Sequence, residues 1–246
     1  MFPLSNAFAR NRILAGLPSE ERRMLEQRSD VTRVYLGDVI DRAGEAVAYL
    51  CFPVDAAISM MDMKDRTHTL DVALVGAEGC TGAWVVQGSE TSPALNIVEI
   101  GGSIVRLPTA ALTEMLPKLP YVNAVLSRYN LLLMRHIVIS VGCSQFHCAE
   151  QRIPRWLLAH SHRAGLKDFP FTTEFLSAQV GIDTDTTRRV LDDLQQRRLI
   201  AKGARDVSIV DAEGLARESC ACFQLTKDAT DGYIEALTRL SRAYSQ

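Results

Sequence analysis

The hydrophobic period of this sequence changes near residue 120 from short strand-like runs to a long helical stretch, and that change restricts the chain to folds joining a mostly β part to a mostly helical part. Between Val31 and Pro108 apolar residues come in short runs: VTRVYLG, VIDRAGE, VAYLCFPV, AISMMDM, HTLDVALVG and ALNIVEIGGSIVRLP. Turn formers separate them at Gly37-Asp38, Ala43-Gly44-Glu45, Asp65-Arg66 and Gly101-Gly102. This spacing predicts an antiparallel β-roll or barrel. Ahead of it, Asn11 to Arg28 reads as a short amphipathic helix that Ser19 caps.

Past Pro117 and Pro120 the period becomes helical, roughly from Tyr121 to Gln145. Val122, Leu126, Tyr129, Leu133, Ile137 and Ser140 recur every three or four residues, a seam suited to a partner helix. Val125, Leu132 and Val138 occupy other faces, so one side is expected against the roll and the other against a second copy of the chain. Burial against the roll alone is the alternative. A second helix follows from Ala149 to Arg163, with Ile153, Trp156, Leu157 and His160 on one side and Pro154 near its first turn.

The densest pattern lies between Phe171 and Val210. Thr172 is a good N-cap, Phe175, Leu176 and Val180 give a short buried face, and Gly181 ends the helix. Asp183 then caps a second helix whose buried stripe is Val190, Leu191 and Leu194. Two short helices separated by so few residues have helix-turn-helix spacing. From Leu199-Ile200 the chain turns through Lys202-Gly203-Ala204-Arg205 into Val207-Ser208-Ile209-Val210, the pattern of a wing. The formal net charge of −2 hides a local excess here: residues 152 to 205 hold ten Lys/Arg against six Asp/Glu, while residues 1 to 149 hold thirteen against fifteen. Helix pair, hairpin and basic excess together point to a reader of double-stranded DNA. The residues expected at the DNA are Thr172, Thr184, Asp185, Thr186, Arg188, Arg189, Lys202 and Arg205. Arg188 or Arg189 would donate to guanine or phosphate, and Lys202 and Arg205 would touch backbone. Ion pairs of Asp192 with Arg188, and of Asp193 with Arg189 and Arg197, would compete with those contacts.

Six scattered cysteines at 51, 80, 143, 148, 220 and 222 form no disulfide framework, so thiols are expected. No run of about 18 uncharged apolar residues occurs, and arginines interrupt the start, so a cytoplasmic location without a membrane partner is expected.

In the order of its parts the chain resembles the Crp/Fnr superfamily of transcription regulators over nearly its whole length. The resemblance is carried by NRILAGLP, YLCFPVDAAISMM, VGAEGCTGAW, the long helix, GCSQFHCAEQRIPRWLLAHSHR and, after the wing, GLARESCACF. It implies an α+β fold: an N-terminal cyclic-nucleotide-binding-like β-roll over residues 1–120, a dimerisation helix over 121–146, and a C-terminal winged helix-turn-helix with a tail over 147–246. RNA polymerase is a partner the resemblance implies. The nucleotide-binding pattern of the family is broken, because Gly82 is followed by Ala83 instead of Glu, and Ser92-Pro93-Ala94 stands where an Arg would neutralise a phosphate. Cyclic nucleotides are not expected. The first cysteine, Cys51, lies too late for an N-terminal iron–sulfur cluster. His68 and Cys80 are candidate haem ligands, but no cofactor is assigned and the effector is unknown. Position-by-position matching of the recognition helix gives Thr184, Asp185 and Arg189, with one of two expected arginines missing.

Cys143, His147 and Cys148 near the helix junction, with Cys220 and Cys222 beyond the wing, have the residue types of a zinc site without the usual spacing. Core packing is the expectation, and no metal is assigned. Cys143 with His147 lacks the third group of a nucleophilic site, so no enzyme activity is expected. The alternative to a DNA reader is an adaptor of the same fold that works through protein contacts of residues 213 to 246.

Overall fold

The alternating apolar runs do form strands, and the two helical seams do form long helices. The computed structural model describes residues 3–63, 69–203 and 205–244. In chain order the elements are α1 (Leu4–Arg10), α2 (Arg12–Ala15), α3 (Ser19–Glu26), β1 (Asp30–Val34), β2 (Val39–Asp41), β3 (Tyr49–Pro53), β4 (Ala57–Met63), β5 (Thr69–Val75), β6 (Leu95–Ile100) and β7 (Gly102–Pro108). Then come α4 (Thr109–Met115), α5 (Pro120–Phe146), α6 (Ala149–Ala164), β8 (Asp168–Pro170), α7 (Thr173–Val180) and α8 (Thr184–Gln196). The chain ends with β9 (Ile200–Lys202), β10 (Asp206–Ile209), α9 (Ala212–Glu218) and α10 (Cys222–Tyr244). Contacts divide these into two units, one of Met1–Met60, Val75–Arg135 and Asp228–Gln246, the other of Met61–Leu74 and His136–Lys227.

The first unit carries the roll. β7 lies between β1 and β3, antiparallel to both, with Val105 opposite Val31 on one side and Phe52 on the other. β2 pairs antiparallel with β6, Val39 opposite Ile97. Gly37 and Gly44 adopt φ of 88° and 80° at the expected turns, a region that glycine enters without cost. The Asp65-Arg66 turn lies outside the described residues.

The front of the chain departs from expectation. Pro18, not Ser19, occupies the N-cap position of α3, and no side chain caps that helix. Asn11 instead caps α2, accepting from the amides of Ile13 and Leu14 while its Nδ2 donates to the carbonyls of Pro53 (3.0 Å) and Gly79 (2.9 Å). One buried amide thus ties the front helices to the roll. Glu21 of α3, also buried, accepts from the amides of Tyr121 (3.0 Å) and Val122 (2.9 Å), placing a carboxylate at the N-terminus of α5.

α5 spans nearly the predicted range, but its faces are assigned differently. Val122, Leu126, Tyr129 and Leu133 are buried within their own chain. Tyr129 lies directly over Gly79, where an added Cβ would come within 2.0 Å of the ring. Ile137 is half-buried, and Ser140 is buried and accepts from Arg155 (3.0 Å). The seam expected to meet a second subunit is therefore mostly occupied by the protomer's own core. Leu131, Met134, Val138 and Val141 face outward instead, at 64%, 62%, 65% and 51% exposure, with heptad-like spacing. By length and mean hydropathy (27 residues, 1.2) α5 meets the measure of a membrane-crossing helix. Arg128 and Arg135 interrupt it, however, and its Val122 to Leu133 side is buried in protein.

The tail is helical. In the first unit Tyr233 packs on Tyr129 (5.6 Å between ring centroids), Tyr244 meets Tyr121 edge-on (5.4 Å), and Ser241 Oγ donates to the carbonyl of Gly16 (2.9 Å). The core of the second unit gathers Ile153, Trp156 and Leu157 of α6, Leu176 and Val180 of α7, Val190, Leu191 and Leu194 of α8, Ile200 of β9 and Val207 of β10. Pro154 is the sixth residue of α6 and so lies beyond its first turn.

Candidate nucleic-acid interface

Local chemistry sets both helices of the pair. Thr172 Oγ1 accepts from the amide of Phe175 (3.1 Å) at the start of α7, and Gly181, with φ 61°, ends it. Asp183 Oδ1 accepts from the amide of Thr186 (2.8 Å), and that bond holds its carboxyl below the usual range. Thr187 Oγ1 donates to the carbonyl of Asp183 (2.9 Å), and Thr184 Oγ1 lies 3.3 Å from Ser177 Oγ across the turn. Thr172, Gly181 and Asp183 thus cap this helix pair as expected. β9 and β10 form the expected wing, closed by Gly203 N donating to the Asp206 carbonyl (3.0 Å), and β8 adds a third strand in the order β8-β10-β9.

The outward side of α8 presents Asp185, Arg188, Arg189, Asp192, Asp193 and Gln196 around one shallow depression. Thr184 and Thr186 are half-buried, and Thr172 is exposed at the head of α7. The cations are paired. Arg188 contacts Asp185 (3.1 Å) and Glu174 (4.0 Å), and Arg189 contacts Glu150 of α6 (3.6 Å). Lys202 contacts Asp192 (2.5 Å), while Arg197 bridges Asp193 (3.3 Å) and Glu218 (2.5 Å). Of the pairs expected along α8, only Asp193 with Arg197 forms; Asp192 reaches the wing and Arg189 reaches α6. Arg205 is exposed and makes no ion pair among the described residues. Exposed pairs of this kind contribute about 0–1 kcal/mol each, so incoming phosphates can displace the carboxylates.

In the roll, Gly82 is left-handed (φ 78°) and Ala83 is buried, its carbonyl accepting from Asn130 Nδ2 (3.1 Å). Ser92 is buried too, and its hydroxyl donates to the carbonyl of Ala94 (2.8 Å). Burial pushes the Cys51 thiol up to about 12 and the Cys80 thiol well above its ordinary value. His68 lies outside the described residues.

Four of the five Cys/His residues that have zinc-site types in the sequence, and are expected there to pack in the core, come together in the structure. Cys143, His147, Cys220 and Cys222 place one ligand-type atom each within 4.8 Å of one another. Cys143 Sγ and Cys220 Sγ are 3.5 Å apart, and His147 Nδ1 is 3.7 Å from Cys222 Sγ. The hydrogen bond from Cys143 holds the Cys220 thiol below its ordinary value. Cys148 is exposed and outside the group.

A capped helix pair followed by a β-hairpin wing, with arginines on the open side of the second helix, defines a winged helix-turn-helix protein. Residues 151–218 match the family of the Crp-like helix-turn-helix domain. The chain is similar in fold to FixK2 of Bradyrhizobium japonicum (TM-score 0.66, 15% identity, 78% of this chain and 98% of that one). It is similar also to TTHB099, a CRP-family transcriptional regulator of Thermus thermophilus (0.61, 18%, 76% and 96%), and to the c-di-GMP-responsive global regulator CLP of Xanthomonas campestris (0.60, 16%, 78% and 99%). No curated protein matches the sequence. Residues 151–218 thus form a Crp-like helix-turn-helix domain, and the fold is one shared with these solved regulators.

Proposed function

We propose that the protein is a homodimeric, sequence-specific DNA-binding transcription regulator acting in the cytoplasm, with no catalytic role and with RNA polymerase as a protein partner. The observation that carries this reading is the open face of α8, where Arg188 and Arg189 stand beside a wing bearing Lys202 and Arg205. α8 enters the major groove, Arg189 reads a base edge, Arg188 binds base or phosphate, and the wing cations bind phosphate. The dimer forms through Leu131, Met134, Val138 and Val141 of α5, the apolar face its own chain leaves open. Its twofold symmetry requires a palindromic site with half-sites about one helical turn apart. The effector is not a cyclic nucleotide, since Ala83 and Pro93 supply neither the carboxylate nor the cation such a ligand needs.

Selection from a random DNA pool at low salt tests the reading, and enrichment of such a palindrome is the expected result. A second reading, the same-fold adaptor, is favoured by one observation: Arg188, Arg189 and Lys202 are each engaged by a carboxylate. Selection that enriched nothing at low salt, where electrostatic attraction is strongest, would establish the adaptor instead.

A further inference from the structure

We propose that Cys143, His147, Cys220 and Cys222 form a structural site for a single zinc ion that clasps the two ends of the helix-turn-helix domain. The donor set of three thiolates and one imidazole is a closed zinc set, with no position left for water. The distances fit one ion. With Zn–S near 2.3 Å and Zn–N near 2.0–2.1 Å, a tetrahedron has S···S edges of about 3.8 Å and S···N edges of about 3.5 Å. The structure has 3.5 Å between the sulfurs of Cys143 and Cys220, and 3.7 Å between His147 Nδ1 and Cys222 Sγ. The widest separation, 4.8 Å, closes to a tetrahedral edge with a shift of about 1 Å, within reach of side-chain rotation. An iron–sulfur cluster does not fit, because each cluster iron takes its own thiolates and these stand further apart than donors to one ion.

The surroundings also suit a metal. The three cysteines are buried, and His147 is half-buried. Bound zinc with three thiolates leaves one negative charge, and the guanidiniums of Arg152 and Arg155 act on Cys143 from nearby. The backbone N–H of Cys222 donates toward Cys220 Sγ, the kind of bond that orients a thiolate ligand. Cys143 lies on the last turn of α5, His147 just beyond it, and Cys220 and Cys222 between α9 and the start of α10. The matched domain, residues 151–218, is thus bracketed on both sides by two ligands. A bound ion joins its entry and exit into one closed loop, with thiols deprotonated on binding and their protons released to solvent.

Metal analysis of the full-length protein, purified untagged under reducing conditions, tests the proposal. About one zinc per protomer is expected, with Cys148→Ser retaining it and Cys220→Ser and Cys222→Ser each losing it. Should those variants fail to fold, the wild-type protein stripped of metal and given cobalt(II) provides a second readout. Tetrahedral d–d absorption with thiolate charge transfer is then expected at one equivalent, and added zinc should bleach it. Fully reduced wild-type protein without zinc and without that cobalt spectrum would overturn the site. So would zinc retained by both ligand variants, or a metal-free protein carrying a Cys143–Cys220 disulfide.

Discussion

Substituting Val138 with Glu separates the two faces of α5. Val138 is 65% exposed in the protomer, so the proposed dimer is what buries it. Full burial of such a side chain stabilises by about 1.5–3 kcal/mol, so the exposed part contributes about 1–2 kcal/mol per protomer. A twofold contact counts it twice, giving about 2–4 kcal/mol before any repulsion between the two new carboxylates. At 1.4 kcal/mol per tenfold, the dimer dissociation constant should rise about 30- to 700-fold. Sedimentation over a dilution series measures that constant, and circular dichroism should show the protomer still folded. Leu133→Glu, by contrast, puts a charge into the protomer's own core and should lower its melting temperature sharply. An unchanged dissociation constant for Val138→Glu would refute the outer-face assignment. Clean dissociation by Leu133→Glu of an otherwise stable protomer would restore the inner seam.

Arg189→Ala should cost about 1–3 kcal/mol on the selected DNA site while hardly changing nonspecific affinity, whereas Arg205→Ala should weaken binding to all sequences and lower the salt slope by about one unit. Competition gel shifts at two or more salt concentrations distinguish the pair. Asp192→Asn releases Lys202 from its 2.5 Å partner and removes a carboxylate from the reading face, so nonspecific affinity should rise several-fold at low salt; a fall would show that this ion pair holds the wing in shape. Calorimetry with cyclic AMP and cyclic GMP should register no heat at micromolar protein, and a micromolar dissociation constant for either would mean that Ala83 and Ser92-Pro93 do not line the ligand position.

The parts legible in the sequence are those fixed by neighbours along the chain. Thr172 and Asp183 cap their helices within three residues, and Gly181 supplies a left-handed turn, so the reading head follows from local chemistry. The strands of the roll follow likewise from short apolar runs between turn residues. The two faces of α5 are a different matter. Both are apolar with helical spacing, and what decides between them is Gly79, fifty residues upstream, whose missing side chain admits Tyr129. β8 went unread because three residues ending in proline carry no strand period. The Cys/His residues were legible as zinc-type ligands but not as one group, because their halves meet only after α6 through α9 have folded between them.

The return of α10 to the roll sets an order on synthesis. Tyr233 and Tyr244 cover Tyr129 and Tyr121, and Ser241 bonds Gly16 across a separation of 225 residues. The first unit, though made mostly of early residues, is therefore left with bare tyrosine faces on α5 until the ribosome has passed residue 244. The helix-turn-helix core has all its strands and helices by residue 218 and can close sooner. On a chain growing from its N-terminus, the unit begun first is completed last, and in the interval its open apolar surface depends on chaperones or on speed.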